Sequence, residues 1–109
     1  MLHFVICDDN LNILDKLEKM LENIFTKNNF DAKVSFTSDN SDKILEYIKS
    51  NPSDVLLLDI NLKSNKTGLE LAEEIRKIKK NSYLIFTTGH LGYAMVAYKY
   101  KTFDYIAKP

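Results

Sequence analysis

The chain has no tryptophan, one cysteine, two prolines and three glycines in its 109 residues. Each shortage excludes something. A lone Cys7 cannot close an internal disulfide, which fits a reducing compartment. The few glycines form no Gly-rich turn after a strand and no G-x-x-x-x-G-K-[ST] run, so the phosphate-cradling loops of flavin and nucleotide sites are missing. An excess of either charge is also lacking. Fifteen basic and fifteen acidic side chains cancel, which removes any global attraction to nucleic acid or anionic membrane. No apolar run approaches the roughly 20 residues of a membrane span. The segment Met1 to Asp9 has no basic leader and turns acidic after a few apolar residues, unlike a signal peptide. The expectation is one cytoplasmic domain that contacts neither membrane nor nucleic acid.

What is present is an ordinary hydrophobic content of 45%, enough for a real core in a domain this size. Leu2 to Cys7 is an apolar run too short for a helix and reads as a buried strand. Asp8-Asp9-Asn10 breaks it. Leu14, Leu17, Leu21 and Ile24 then recur at helical spacing, with Asn10 or Asp9 as N-cap and Lys27-Asn28-Asn29 as the end. Ala32 to Thr37 alternates and reads as an edge-like strand. Ser41 to Ser50 is a second helix, facing inward through Ile44, Leu45 and Ile48 and closed by Pro52. Val55 to Leu58 is a continuous apolar strand, of the kind covered on both faces. Asn61 to Gly68 reads as polar loop.

Leu71, Ala72, Ile75 and Ile78 mark a third helix, with Glu early and Lys late, as the helix dipole favours. Tyr83 to Thr87 is a fourth strand, Leu91 to Lys101 a helix, and Phe103 to Ala107 a fifth strand. Strict alternation of strands and helices argues for a parallel sheet with helices on both faces.

Ligands of such sheets sit at the carboxyl ends of the strands. There the sequence puts Asp8-Asp9 after strand one, Asp59 after strand three, Thr87-Thr88 after strand four and Lys108 after strand five. Carboxylates placed together repel one another, and a hard divalent cation relieves this. Mg²⁺ takes oxygen ligands from one or two carboxylates, with waters and a phosphate completing the shell. A metal held by Asp9 and Asp59 would neutralise an incoming phosphoryl group. Asp59 could then act as a nucleophile, since carboxylates form aspartyl phosphates. Lys108 and Thr88 would bind phosphoryl oxygens. Any one of these residues alone reads as a cap, a turn or a surface charge. Thr87 reads as strand core and Cys7 as buried filler.

The set resembles the receiver domain of two-component response regulators over essentially the whole chain. The residues that carry the resemblance are Asp8-Asp9, Asp59 closing "LLLD", Gly68 opening "GLELAEEIR", Thr88 in "IFTTGH", and "DYIAKP". The resemblance implies a doubly wound, CheY-like sheet of order 2-1-3-4-5. It implies that Asp59 is the phosphoacceptor, that Asp8 and Asp9 hold Mg²⁺ with Asp59, and that the backbone carbonyl of Asn61 is a further ligand. Thr88 is similar to the switch hydroxyl, Tyr105 to the switch aromatic, and Lys108 to the phosphate-pairing lysine. Asn61 and His90 stand where receivers tune dephosphorylation, although His90 also reads as a solvated loop residue.

The proline usual after the acceptor is absent, with Lys63 near its place, and the loop to Gly68 is one residue longer than in most receivers. Both features, with Tyr93-Ala94 and the ending "DYIAKP", are similar to receivers attached to LytTR-type DNA-binding domains. The fifth helix of the family does not follow Lys108-Pro109. That implies a receiver spanning 1–109 of a longer regulator, without its output domain. The partners implied are a sensor histidine kinase and a second copy, docked through helix four and strand five or through the uncovered sheet face. Other readings are a phosphorylation-independent interaction module, a flavodoxin-like cofactor binder and a phosphohydrolase. The glycine shortage opposes the cofactor binder. Asn61, where a water-activating acid would stand, opposes the hydrolase.

Overall fold

Among the described residues, three helices form where the apolar spacing is 3.6 residues, and strands form where short β-branched or leucine-rich runs separate them. The computed structural model describes residues 1–62, 66–88 and 104–107. The chain runs β1 (Leu2–Cys7), α1 (Leu11–Lys27), β2 (Ala32–Ser38), α2 (Ser41–Ser50), β3 (Val55–Asp59), α3 (Gly68–Ile78), β4 (Tyr83–Thr88) and β5 (Asp104–Ala107). The strands form one parallel sheet of order β2-β1-β3-β4-β5. The alternating pattern of β2 does belong to an edge strand. The helix expected over 91–101 lies outside the described residues. Among the described residues no helix is long and apolar enough to cross a membrane.

The sheet divides the core in two. Val5, Cys7, Leu56, Leu58, Leu84 and Phe86 pack with α2 and α3 on one face. Ile6, Val55 and Leu57 pack with Leu14 and Leu17 of α1 on the other, and Phe4 and Ile85 join them. Alternate side chains of each strand therefore serve opposite faces, as the pleat requires.

Two expectations of burial are corrected. On α1, Ile24 is 43% exposed and Phe25 is buried in its place. The step from Leu21 to the inner face is four residues rather than three, and the Phe25 ring settles against Phe4 with centroids 4.8 Å apart. The stretch after Asp59 is also not simply polar loop, because Ile60 and Leu62 are both buried in the α2/α3 core.

The caps follow the sequence. The Asn10 side chain accepts the N–H groups of Asn12 and Ile13 at 2.9 and 3.2 Å, and Asn40 does the same for Asp42 and Lys43 at 2.8 and 3.1 Å. At the start of α3, Thr67 Oγ1 accepts the Glu70 N–H while the Glu70 carboxylate accepts the Thr67 N–H, both at 3.1 Å. This is a reciprocal capping box. A bulge in the β1–β2 ladder falls between Phe4 and Val5. The neighbouring Val34 N–H is taken up by the Glu22 carboxylate of α1 at 2.7 Å.

Candidate functional site

The carboxyl ends of β1 and β3 lie side by side, since Cys7 pairs with Leu58. The next residues in the chain are Asp8 and Asp59. Both are withdrawn from solvent, at 0% and 3% exposure, which is unusual for carboxylates. Each is fixed by a tight turn of its own backbone. Asp8 Oδ1 accepts the Asn10 N–H at 2.9 Å, and Asp59 Oδ1 accepts the Asn61 N–H at 2.9 Å. Asp9, between Asp8 and the α1 cap, is half-buried.

The backbone beyond Asp59 is locked as well. The Ile60 N–H donates to the Thr87 carbonyl at 3.1 Å, and the Leu62 N–H to the Asp59 carbonyl at 3.3 Å. Burial of Ile60 and Leu62 holds this turn down from below. From the far side, α3 presses its first residue against the same point. A Cβ on Gly68 would collide with the Asp59 carbonyl oxygen and lie 2.7 Å from Ile60 Cα. Only glycine admits so close an approach. The acceptor's main chain is thus clamped between β1, β4 and the start of α3.

Cys7 reports the local field. Burial pushes its thiol up to about 12, and the negative charges of Asp9, Asp8, Asp59 and Asp39 add to the rise in that order. The thiol therefore lies in the field of four carboxylates near the strand ends. Asp39 is an addition to the expected set. It follows β2 as Asp8 follows β1, and it is exposed. The strand-end rule, applied to β2 as well, would have found it.

Thr87 is Asp59's register partner on β4 and is 1% exposed. Thr88 follows it and pairs with Ala107, while Tyr105 pairs with Phe86 through the β5 backbone. Lys108 and His90 lie outside the described residues, as does Lys63.

The donor set suits a hard cation. Among the described residues it consists of carboxylate and carbonyl oxygens, with no soft ligand facing solvent, and the like charges of Asp8, Asp9 and Asp59 give a cation something to neutralise. Among the described residues no three His, Cys, Asp or Glu side chains close into a ready-made metal cage. Such a cage would suit Ca²⁺ or Zn²⁺ better than Mg²⁺, which keeps several waters and needs only one or two carboxylates. An open depression of about 420 Å³ lies at the opposite, amino end of the sheet, beside Leu2, Asp54, Lys80 and Tyr83. It has no part in this rim.

Comparison with known proteins agrees with the geometry. The family model described as the response regulator receiver domain matches residues 4–109. The sensory transduction protein LytR of Staphylococcus haemolyticus is 33% identical over 96% of this chain and 39% of its own length. The transcriptional regulatory protein NatR of Bacillus subtilis is 33% identical over 94% of this chain and 41% of its own. The chain thus spans about two fifths of these relatives. Among solved structures, the response regulator TrrA of Thermotoga maritima, in complex with Mg²⁺–BeF, superimposes with a TM-score of 0.83 at 28% identity. That match covers 100% of this chain and 88% of the other.

Proposed function

Since the chain belongs to the response regulator receiver domain family, we propose that it accepts a phosphoryl group on Asp59 from a sensor histidine kinase and relays the change to a transcriptional output domain. The observation that carries this reading is the clamped, nearly buried carboxylate at the end of β3, with Asp8 and Asp9 at the end of the adjoining strand. The domain is a signalling module that assists its own phosphorylation and dephosphorylation. It acts in the cytoplasm, and residues 1–109 are its receiver unit. The DNA-binding part of the regulator, of LytTR type, lies in the remainder of a longer protein.

In the transfer, the P–N bond of the donor phosphohistidine breaks as a P–O bond forms to Asp59, and the freed imidazole recovers a proton from solvent. Asp59 is held for attack by the Asn61 N–H at one carboxylate oxygen and by its fixed main chain. Asp9, Asp59 and the Asn61 carbonyl, with Asp8 in support, would hold Mg²⁺, which would supply the positive charge that an anionic phosphoryl group needs to approach this acidic rim. Lys108 pairs with a phosphoryl oxygen, and the Thr88 hydroxyl moves onto another. Tyr105 follows Thr88, which changes the surface around strand five, where a second copy docks. Asn61 and His90 are the residues assigned to setting how fast water removes the phosphoryl group.

The test is intact mass after incubation with Mg²⁺ and acetyl phosphate, with Asp59→Ala in parallel. The expected result is a gain of one phosphoryl group in the parent that needs Mg²⁺ and is lost in the variant. A parent that neither gains mass nor binds Mg²⁺ would overturn the reading in favour of a phosphorylation-independent interaction module.

A further inference from the structure

One polar atom near Asp59 is not accounted for by the roles above. The Thr87 hydroxyl is buried, and Oγ1 has no hydrogen-bond partner among the described residues. Native proteins seldom leave such a group unsatisfied, and each exception calls for an explanation. A strand position that only needed volume would be filled as well by valine, which has the same shape and no hydroxyl to desolvate.

Its position supplies the explanation. Asp59 and Thr87 are register partners in the parallel β3–β4 ladder. Two residues earlier, the partners Leu57 and Ile85 share the α1 face of the sheet. Side chains alternate with period two, so Asp59 and Thr87 share that face also, one strand spacing of about 4.8 Å apart. Side chains opposed at this spacing can touch, yet Thr87 Oγ1 makes no hydrogen bond to Asp59. A phosphoryl group added to Asp59 would bring three strong acceptor oxygens to this face.

We infer that the Thr87 hydroxyl is a positioning donor held for the phosphorylated form, unpartnered in the resting domain and hydrogen-bonded to the acylphosphate on Asp59. The inference rests on the phosphoacceptor reading above. It adds a second β4 hydroxyl to the proposed site, beside that of Thr88. The donor's cost falls on the unmodified state alone, so its presence biases the domain toward the modified one.

The test separates the two states with Thr87→Val, which keeps shape, and Thr87→Ser, which keeps the hydroxyl. Acetyl phosphate with Mg²⁺ forms the Asp59 O–P bond and releases acetate, and intact mass reports it. Affinity for beryllofluoride with Mg²⁺, followed by ¹⁹F resonance, reports the modified state at equilibrium. Thermal unfolding without either reagent reports the resting state. Thr87→Val is expected to weaken beryllofluoride binding about tenfold, the worth of one hydrogen bond to a charged group. Its resting melting temperature should be unchanged or higher, and Thr87→Ser should behave as the parent. Parent-like binding by Thr87→Val, while the parent is phosphorylated on Asp59, would overturn this inference and leave the phosphoacceptor reading intact. A parent that is not phosphorylated and does not bind beryllofluoride would remove both.

Discussion

A methyl group added at Gly68 has nowhere to go. Its nearest neighbours would be the Asp59 carbonyl, Ile60 Cα at 2.7 Å and Asp59 C at 3.0 Å, all main-chain atoms that cannot swing aside. Gly68→Ala must therefore push α3 away from β3, an overpacking cost of about 1–3 kcal/mol. Urea denaturation should show this loss, and the variant's phosphorylation by acetyl phosphate should fall with it, because Asp59 shares the strained backbone. A wild-type midpoint would mean that the helix does not sit this close. Cys7 gives a second test at this scale. Its thiol is fully buried and held near 12 by burial and by the surrounding acids, so it stays neutral at ordinary pH. An alkylating reagent at pH 8 should leave it unmodified in the native protein and label it in denaturant. Residue types and strand-end positions were enough to bring Asp8, Asp9 and Asp59 together from sequence. Close contacts were not legible in that way. Nothing in "GLELAEEIR" says how near Gly68 comes to Asp59, and nothing in "FTT" says that the Thr87 hydroxyl lacks a partner.

Helix α3 has a start that can be tested as a unit. Its capping box satisfies two backbone N–H groups through Thr67 and Glu70. The hydrogen bonds to Thr67 hold the Glu70 carboxyl below its ordinary value of 4.5, and the charge of Lys66 assists. A depressed acid stabilises the fold when ionised. The contribution is therefore complete above 4.5 and is lost as pH falls through the lower folded value. Glu70→Ala should be less stable than the parent at pH 7, and the difference in urea midpoint should be smaller at pH 3. Thr67→Ala removes the cap at any pH and should cost about 1 kcal/mol. Equal differences at both pH values for Glu70→Ala would show that the carboxylate does not cap. Periodicity made the elements themselves readable. Ser41–Ser50 is α2 as expected, and β2 and β4 each run one residue further than their apolar patterns, to Ser38 and Thr88. Pairing to a neighbouring strand continues past the last apolar residue because backbone, not side chain, makes the ladder. Ile24 misled because two adjacent apolar residues at the end of α1 compete for one inner position, and only tertiary contact with Phe4 chooses Phe25.

Across the whole molecule, charge is balanced in total and unbalanced in place. Equal numbers of acids and bases give no net charge, yet Asp8, Asp9, Asp39 and Asp59 all act on the single point at Cys7. The parallel topology causes this, since it brings the ends of β2, β1 and β3 to one edge of the sheet. The folded state gathers these charges and the unfolded chain disperses them, so a cation held among them favours the folded form. Mg²⁺ that binds only the folded form should add about 2.7 kcal/mol at a hundredfold excess over its dissociation constant. For a domain of this length that corresponds to a rise in melting temperature of roughly 10 °C or more. NaCl at equal ionic strength should give much less, since screening acts weakly on buried groups. Asp9→Asn separates the two contributions. Without Mg²⁺ it should melt above the parent, because one repelling charge is gone. With Mg²⁺ it should gain little, because a ligand is gone. A variant that melts lower without metal, and still responds fully to it, would show that Asp9 neither adds to the repulsion nor holds the ion.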